Sequence, residues 1–246
     1  MGYPSRLSAL LLATASLVWG GTACSSNVTL ADYDAMSPAG CTYGNFTFSN
    51  FSYQYLLGLA LPETADPNVT ATQINVTIDG PNSSPTVAFQ PTQDWVASAG
   101  FQTQIDIGYT VTVSLGPNMG SSWATLTGTA EDRGGSPSNI TSQLGYSPGG
   151  TLHPSIFPDS GGFGSGGLAL NNVAAVTVGD LITLDSGGSG GTSPNTTTLT
   201  EFQQNFTQMP EPASALVVAL GLLTCGWLAF RRSRRAASGT SPKISS

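Results

Sequence analysis

The chain has 246 residues, of which 39% are hydrophobic and only 9% are charged, so it can bury a core but carries few surface charges. Gly (30 residues) and Pro (16) are abundant, yet together they stay below the proportion typical of a disordered low-complexity chain. Between residues 25 and 209 there are 13 acidic residues and one basic residue, Arg133, and such a stretch repels phosphate groups. The composition therefore excludes a nucleic-acid-binding protein and favours cations or neutral polysaccharide as partners.

The N-terminus is typical of a secretory signal peptide. Arg6 precedes an apolar run, Leu7 to Trp19, whose 13 residues are too few for a permanent membrane-spanning helix. The small residues of Gly21-Thr22-Ala23 fit a signal peptidase site, so we expect a signal peptide at residues 1–23 with cleavage after Ala23. Cys24 follows directly, and a lipid attached to its thiol is the alternative.

The segment 24–209 is predicted to form an exported all-β body, an antiparallel β-sandwich or jelly roll. Apolar and polar residues alternate with period two, as they do in half-buried antiparallel strands. In the aromatic-rich segment 45–55 the alternation switches phase, which predicts a β-bulge near Ser49 and Asn50. The alternating apolar positions are Ile105, Ile107, Tyr109, Val111, Val113 and Leu115, and Ile74, Val76 and Ile78. Further strands are predicted at 86–90, 123–129, 173–184 and 197–206.

Residues 132–167 are rich in Gly and Pro and interrupt this pattern. We expect one domain, with part of this stretch folding back as a hairpin. Within it, residues 162–167 match G-x-G-x-x-G, but no predicted strand precedes them and no helix follows. We therefore predict that this segment is a loop and that no helix N-terminus follows it to bind a phosphate.

The cysteines suit an oxidising compartment, and Cys24 and Cys41 are expected to form a disulfide. No cofactor or metal site is predicted. The alternative is a structural Ca²⁺, because Asp159, Asp180 and Asp185 lie beside Gly-rich turns where carboxylate oxygens could converge.

No catalytic residue is predicted, and we expect a protein that is not an enzyme. The one histidine, His153, lies in a Pro- and Gly-rich segment, and no nucleophile motif accompanies it. Glu131 and Asp132 are neighbours at a strand end, where successive side chains point to opposite faces. A hydrolase with a carboxylate pair built from distant residues is the remaining enzymatic alternative.

Nine N-x-S/T sequons without an intervening Pro occur in the body, more than chance predicts for this composition. Asn in a polar strand face is the competing explanation. The candidate glycosylation sites are Asn27, Asn45, Asn50, Asn68, Asn75, Asn82, Asn139, Asn195 and Asn205.

The C-terminal region contains three consecutive features. Pro210-Glu211-Pro212 is followed by 18 uncharged residues, Ala213 to Phe230, which predict one transmembrane helix. A cluster of arginines comes next and places this end of the helix in the cytoplasm. The cluster consists of Arg231, Arg232, Arg234 and Arg235, and residues 236–246 form a short cytoplasmic tail.

These three features resemble the PEP-CTERM sorting signal of Gram-negative bacteria over residues 210–235, with a tail longer than most such proteins carry. The resemblance implies that exosortase, a membrane-embedded protease, recognises Pro210-Glu211-Pro212 in bacteria that export exopolysaccharide. Segments 40–51, 94–113, 178–180 and 206–209 also resemble uncharacterised PEP-CTERM proteins, which implies a shared β-rich exported domain but no activity.

The leading hypothesis is a non-enzymatic surface or matrix protein, sorted by exosortase and associated with exopolysaccharide. It would be held in the cytoplasmic membrane by its C-terminal helix before processing, and then reach the cell surface or the extracellular matrix. The alternative is a carbohydrate-binding module anchored at the envelope. Its candidate stacking residues are Trp95, Trp123 and Tyr109, each of which also fits a core position.

Overall fold

The computed structural model describes residues 22–26, 28–57, 68–98, 100–188 and 193–209. The apolar part of the predicted signal peptide, Asn27, the Pro210-Glu211-Pro212 motif, the predicted helix 213–230 and the four arginines of the C-terminal cluster lie outside the described residues. Within the described ranges, no helix is long and apolar enough to cross a membrane.

Strands dominate the described residues, with one α-helix, α1 (Leu30–Ala35), and two short 3-10 helices at Ala71–Gln73 and Pro158–Ser160. Thr29 caps α1, since its hydroxyl accepts a hydrogen bond from the Asp32 amide. The strands are β1 (Thr22–Ala23), β2 (Val28–Thr29), β3 (Cys41–Tyr43), β4 (Phe46–Leu57), β5 (Ile74–Asp79), β6 (Thr86–Pro91), β7 (Trp95–Ser98), β8 (Gln102–Val113), β9 (Met119–Ala130), β10 (Asn139–Ser147), β11 (Thr151–Leu152), β12 (Ser155–Ile156), β13 (Phe163–Val173), β14 (Ala175–Asp185) and β15 (Thr196–Gln208).

The strands form two sheets that pack face to face, which confirms the predicted all-β sandwich. An eight-stranded sheet has the order β1-β3-β4-β8-β14-β10-β11, with β12 also paired to β10. A seven-stranded sheet has the order β13-β9-β15-β6-β5-β2, with β7 also paired to β15. All pairs are antiparallel except β1 with β3.

The alternation in the sequence decides which side chains face the core. In β8, Ile105, Ile107, Tyr109 and Val111 are buried between the sheets, and the polar residues between them face outward. The expected continuation to Leu115 is wrong, because β8 ends at Val113 and Leu115 lies in the following turn with 66% of its surface exposed.

The predicted bulge is present in β4. The register between β4 and β8 shifts between Ser49 and Ser52, and Asn50 adopts a φ of 54°. Because of this extra residue, Phe48 and Phe51 both face the core despite their odd spacing. The bulge therefore explains the change of phase in the aromatic pattern.

The prediction of a loop at residues 162–167 is wrong. Only Gly162 lies in a turn, residues 163–167 begin β13, and the preceding Gly- and Pro-rich stretch contains β10, β11 and β12. Glycine has no side chain and so contributes nothing to the alternating pattern that identifies a strand. In β13 it allows a close approach of the neighbouring backbone, since a Cβ on Gly164 would lie 2.2 Å from the carbonyl oxygen of Ser155. The strand predicted at 173–184 is also divided, since β13 ends at Val173 and β14 begins at Ala175.

A disulfide joins Cys24 to Cys41 at the start of β3, with their Cα atoms 4.9 Å apart. Next to it, β1 pairs in parallel with Cys41 and Thr42. Cleavage after Ala23, as the sequence predicts, would remove β1 and leave β3 as the edge of its sheet.

Candidate functional site

The outer face of the seven-stranded sheet is polar, apart from an aromatic group near its β13 edge. In β9, Ala124 and Leu126 are fully buried, so the alternate residues Trp123, Thr125 and Thr127 face outward. Trp123 is 53% exposed. Folding usually buries most of a tryptophan side chain, so this exposure is unusual.

Three cross-strand pairs between β9 and β13 form a continuous outer surface, which we call the edge platform. The pairs are Trp123 with Gly167, Thr125 with Ser165, and Thr127 with Phe163. Directly opposed residues of this kind share one face of the sheet. Phe163 is 54% exposed, so the platform carries an aromatic ring at each end and hydroxyl groups between them.

Gly167 determines where the Trp123 indole lies. A Cβ at position 167 would come within 2.3 Å of Cε3 and 2.6 Å of Cζ3 of this indole. The six-membered ring therefore covers the backbone of β13, in space that any other residue at 167 would fill. Just over half of the Trp123 surface remains exposed to solvent.

Strand β15 supplies a polar flank on the other side of β9. Asn205 is paired with Trp123, and its Nδ2 donates to the carbonyl oxygens of Ser84 (3.1 Å) and Pro85 (3.2 Å). Gln203 is paired with Thr125, and its Nε2 donates to Oε1 of Glu201 at 2.5 Å. These interactions hold the flanking amides in fixed positions.

The hydroxyl groups on the platform are available for a ligand. Those of Thr125 and Ser165 have no hydrogen-bond partner among the residues that the structure describes, and neither has that of Ser121, which follows the platform along β9. Each hydroxyl can both donate and accept a hydrogen bond. An exposed ring face beside free hydroxyls can bind a ligand that has an apolar face and polar edges.

The two other predicted stacking candidates are core residues. Trp95 is fully buried and its Nε1 donates to the hydroxyl of Tyr53 at 3.2 Å. Tyr109 is also buried, and its hydroxyl donates to Oε1 of Gln204. Of the three candidates, only Trp123 reaches solvent.

The sequence contained a signal that singles out Trp123. Ala124, Leu126 and Gly128 alternate with Trp123, Thr125 and Thr127, so the small apolar residues define the inner face. Phe163 was missed because its strand was predicted as a loop.

The outer face of the eight-stranded sheet differs in chemistry. A row of Ser52, Gly108, Gly179 and Gly145 crosses four adjacent strands, and side chains are small or absent along it. Within the described strands of this sheet, no aromatic side chain faces outward. Among the described strands, the exposed aromatic side chains therefore lie on the seven-stranded sheet.

A polar cluster lies between the sheets, away from the platform. The Gln204 Nε2 donates to the hydroxyl of Tyr146 at 2.5 Å, and the Ser122 hydroxyl lies 2.9 Å from the same oxygen. Asp180 is fully buried; its Oδ1 accepts a hydrogen bond from Ser142 at 2.5 Å, and its Oδ2 has no partner among the described residues. Burial raises the pKa of Asp180 to about 7 and raises that of Tyr146 to about 12.

The aspartates considered for calcium do not form a common site. Asp180 is buried, Asp159 is exposed, and Oδ1 of Asp185 accepts a hydrogen bond from the Gly187 amide. Throughout the described ranges, no three His, Cys, Asp or Glu side chains are grouped so as to hold a metal ion.

The residues considered for catalysis are not brought together. His153 is exposed, and its carbonyl oxygen accepts a hydrogen bond from Ser155. Glu131 accepts hydrogen bonds from the Thr196 amide at 2.9 Å and from Arg133 at 2.5 Å, so its carboxylate connects two segments of the chain.

The sequons occupy three kinds of position. Asn50, Asn68 and Asn82 are exposed, and Asn45, Asn75, Asn139 and Asn205 are half-buried. Asn195 is fully buried; its Oδ1 accepts from the Arg133 amide (2.7 Å) and its Nδ2 donates to the Ser136 carbonyl (3.0 Å). A glycan on the Asn195 amide would break the hydrogen bond to Ser136 and would need space that the surrounding residues fill.

No protein-family model and no curated protein sequence matches the chain. Several solved structures that align with it are described as carbohydrate-binding modules. TmCBM61 in complex with β-1,4-galactotriose covers 74% of this chain and 98% of its own, at 8% identity and a TM-score of 0.31.

Two other solved structures align at lower scores. A structure described as one of the promiscuous carbohydrate-binding modules of the β-sandwich superfamily has 12% identity, covers 76% of this chain and 61% of its own, and gives a TM-score of 0.22. A family 29 carbohydrate-binding module has 9% identity, covers 63% of this chain and 88% of its own, and gives 0.18. At these scores, the alignments carry no conclusion about ligand or activity.

Proposed function

We propose that the protein is an exported, non-enzymatic carbohydrate-binding protein, and that the edge platform binds neutral polysaccharide. The observation that carries the proposal is the position of Trp123. Trp123 is 53% exposed on a largely polar sheet face, and its six-membered ring lies over Gly167, where any larger residue would clash with it. Folding gains little from a large apolar ring in this position, whereas a ligand that covers the ring would gain its burial.

Sugar rings match the chemistry of the platform. One face of a pyranose presents C–H groups that pack on an aromatic ring, and its hydroxyls both donate and accept hydrogen bonds. Thr125 and Ser165 supply free hydroxyls beside the indole, and Gln203 supplies an amide held by Glu201.

Charge favours a neutral ligand. Residues 25–209 carry 13 acidic residues against one arginine, and Glu201 lies on the same outer face as Trp123. A polysaccharide rich in uronic acid or phosphate would be repelled by this field.

Sorting is part of the same proposal. We infer from the resemblance of residues 210–235 to a PEP-CTERM signal that exosortase processes the chain and delivers it to the cell surface or the matrix. The body would then hold exopolysaccharide at its destination. Export is compatible with the Cys24–Cys41 disulfide, because disulfides persist outside the cytoplasm.

Affinity electrophoresis of the full-length protein tests the binding proposal. The panel is β-1,4-glucan, β-1,4-galactan, β-1,4-mannan, β-1,3-glucan and α-1,4-glucan. Wild type should be retarded by at least one of them, Trp123→Ala should weaken that binding at least tenfold, and Leu115→Ala should not change it. Leu115 is the matched control because it is an exposed apolar residue away from the platform. Retention by none of the polymers, or equal binding by Trp123→Ala, would overturn the proposal.

A further inference from the structure

We infer that the edge platform binds an extended polysaccharide chain that runs parallel to β9 and β13, with Phe163 as its second aromatic contact. This inference rests on the proposed function and adds the direction of the ligand, its minimum length and a further specificity-determining residue.

The direction follows from the register of the two strands. Trp123 pairs with Gly167, and Phe163 pairs with Thr127, so the two rings are four positions apart along the same face. At about 3.4 Å per residue, this separates them by roughly 14 Å. That distance exceeds the length of one sugar ring, so a single sugar cannot contact both aromatic side chains.

The surface between the rings suits the middle of such a chain. Thr125 and Ser165 face each other across the two strands, and their hydroxyls have no partner among the described residues. A polymer on this line would meet the indole, then two hydroxyls, then the phenyl ring. Because β13 is the last strand of its sheet, nothing paired beyond it in the described fold restricts that side.

Phe163 is not part of the buried core. It is 54% exposed, and its inward neighbour Gly164 provides the contact with the layer below. An exposed aromatic on an edge strand invites association with another chain, and a second copy of this protein is the competing occupant. Acidic charge on both copies opposes that pairing, whereas a neutral polymer meets no such repulsion.

The experiment measures affinity against ligand length by isothermal titration calorimetry. The ligands are oligosaccharides of one to six sugars from each polymer of the panel that wild type binds. Wild-type affinity should rise at least tenfold between the disaccharide and the tetrasaccharide. Phe163→Ala should lose about tenfold on the tetrasaccharide and hexasaccharide and remain unchanged on the disaccharide, while Trp123→Ala should weaken every ligand.

The outcomes separate this inference from the proposed function. If affinity does not depend on length, or Phe163→Ala matches wild type on the hexasaccharide, the inference is wrong and the proposed function stands. If wild type binds no polymer, both fall. Light scattering on the same samples tests the competing occupant: a dimer that Phe163→Ala converts to monomer, with glycan affinity intact, would assign the platform to self-association. Leu115→Ala serves again as the control.

Discussion

The six-membered ring of Trp123 occupies the space that a side chain on Gly167 would fill, so the placement of the indole depends on the absence of that side chain. The two residues are directly opposed on β9 and β13, and the strand backbone thereby acts as a support for the ring. Glycine weakens a strand, but at this position it also shapes an exposed surface.

Substitution of Gly167 by Ala should displace the indole without unfolding the body. The added methyl group would lie 2.3 Å from Cε3, so the ring would have to move away from its place over β13. We expect at least tenfold weaker binding to the polymer that wild type retains, and a melting temperature within a few degrees of wild type, measured by affinity electrophoresis and calorimetry.

Gly166→Ala is the matched control for this change. Its added Cβ would meet only Cδ2 of Leu152, at an ordinary contact distance of 3.7 Å. Both variants add one methyl group to the same strand, so they share any cost to β13 itself. Equal affinity in the two variants would contradict a role for the fixed indole.

Substitution of Asp180 by Asn should stabilise the protein near neutral pH. Burial raises the pKa of the folded carboxyl to about 7, above its unfolded value of about 4. Between these values the folded state keeps a proton that the unfolded state releases, so stability falls as pH rises, by about 1.4 kcal/mol per pH unit, and levels off above pH 7. Asn carries no charge, so the substitution should remove this contribution of position 180 to the pH dependence of stability.

Urea unfolding at pH 4.5, 6 and 7.5 measures the effect. Wild type should lose stability across this range, and Asp180→Asn should lose less, so the difference between the two free energies of unfolding grows with pH. Parallel curves for the two proteins would show that the carboxyl is not held neutral in the folded state.

Removal of the disulfide should destabilise the body. Cys24 and Cys41 are 17 positions apart, and closing a loop of that size contributes about 3 kcal/mol. The double variant Cys24→Ser with Cys41→Ala should have a melting temperature about 6–12 °C below that of wild type. Dithiothreitol should lower the melting temperature of wild type and leave that of the variant unchanged. A mature protein whose mass shows a lipid on Cys24 would contradict the pairing.

Removing the sequons at Asn195 and Asn82 should have opposite effects on stability and on glycan mass. Asn195→Ala deletes both hydrogen bonds to the 133–136 segment and should cost about 1–3 kcal/mol, with no change in glycan mass. Asn82 is exposed, so Asn82→Ala should leave stability within about 0.5 kcal/mol and remove one glycan in a host that glycosylates the chain. Unfolding curves and intact mass decide; a glycan on Asn195 would contradict the fold at this site.

The sorting proposal is tested in a host that carries exosortase. Glu211→Ala should block processing and leave full-length precursor in the cytoplasmic membrane, while neutralising the four arginines of the C-terminal cluster should impair orientation and retention. Mass and cell fractionation report both effects. Normal processing of Glu211→Ala, or a mature wild type that keeps residues 213–230, would leave only a membrane anchor.

Alternation made much of this fold predictable. Ile74, Val76 and Ile78 and the inward residues of β8 are buried as their period-two spacing predicts, and the bulge at Asn50 follows from the shift in aromatic spacing. The prediction fails at β13, since glycine contributes no side chain to the pattern that identifies strands.

The site was harder to predict than the fold, because it depends on which strands are neighbours. The sequence alone does not show that Trp123 and Gly167 are opposed, or that β13 forms an edge. Register is a tertiary property, and it decides which exposed aromatic side chains share a surface.

The position of β15 has a consequence for how the protein is made. This last strand of the body lies between β9 and β6, and it ends at Gln208, two residues before Pro210. A chain that emerges N-terminus first therefore cannot close its seven-stranded sheet until almost all of the body has been delivered. If the chain is exported as proposed, its seven-stranded sheet stays incomplete during translocation, so the polypeptide can pass through the membrane unfolded. Folding would then be completed as the sorting motif reaches the membrane.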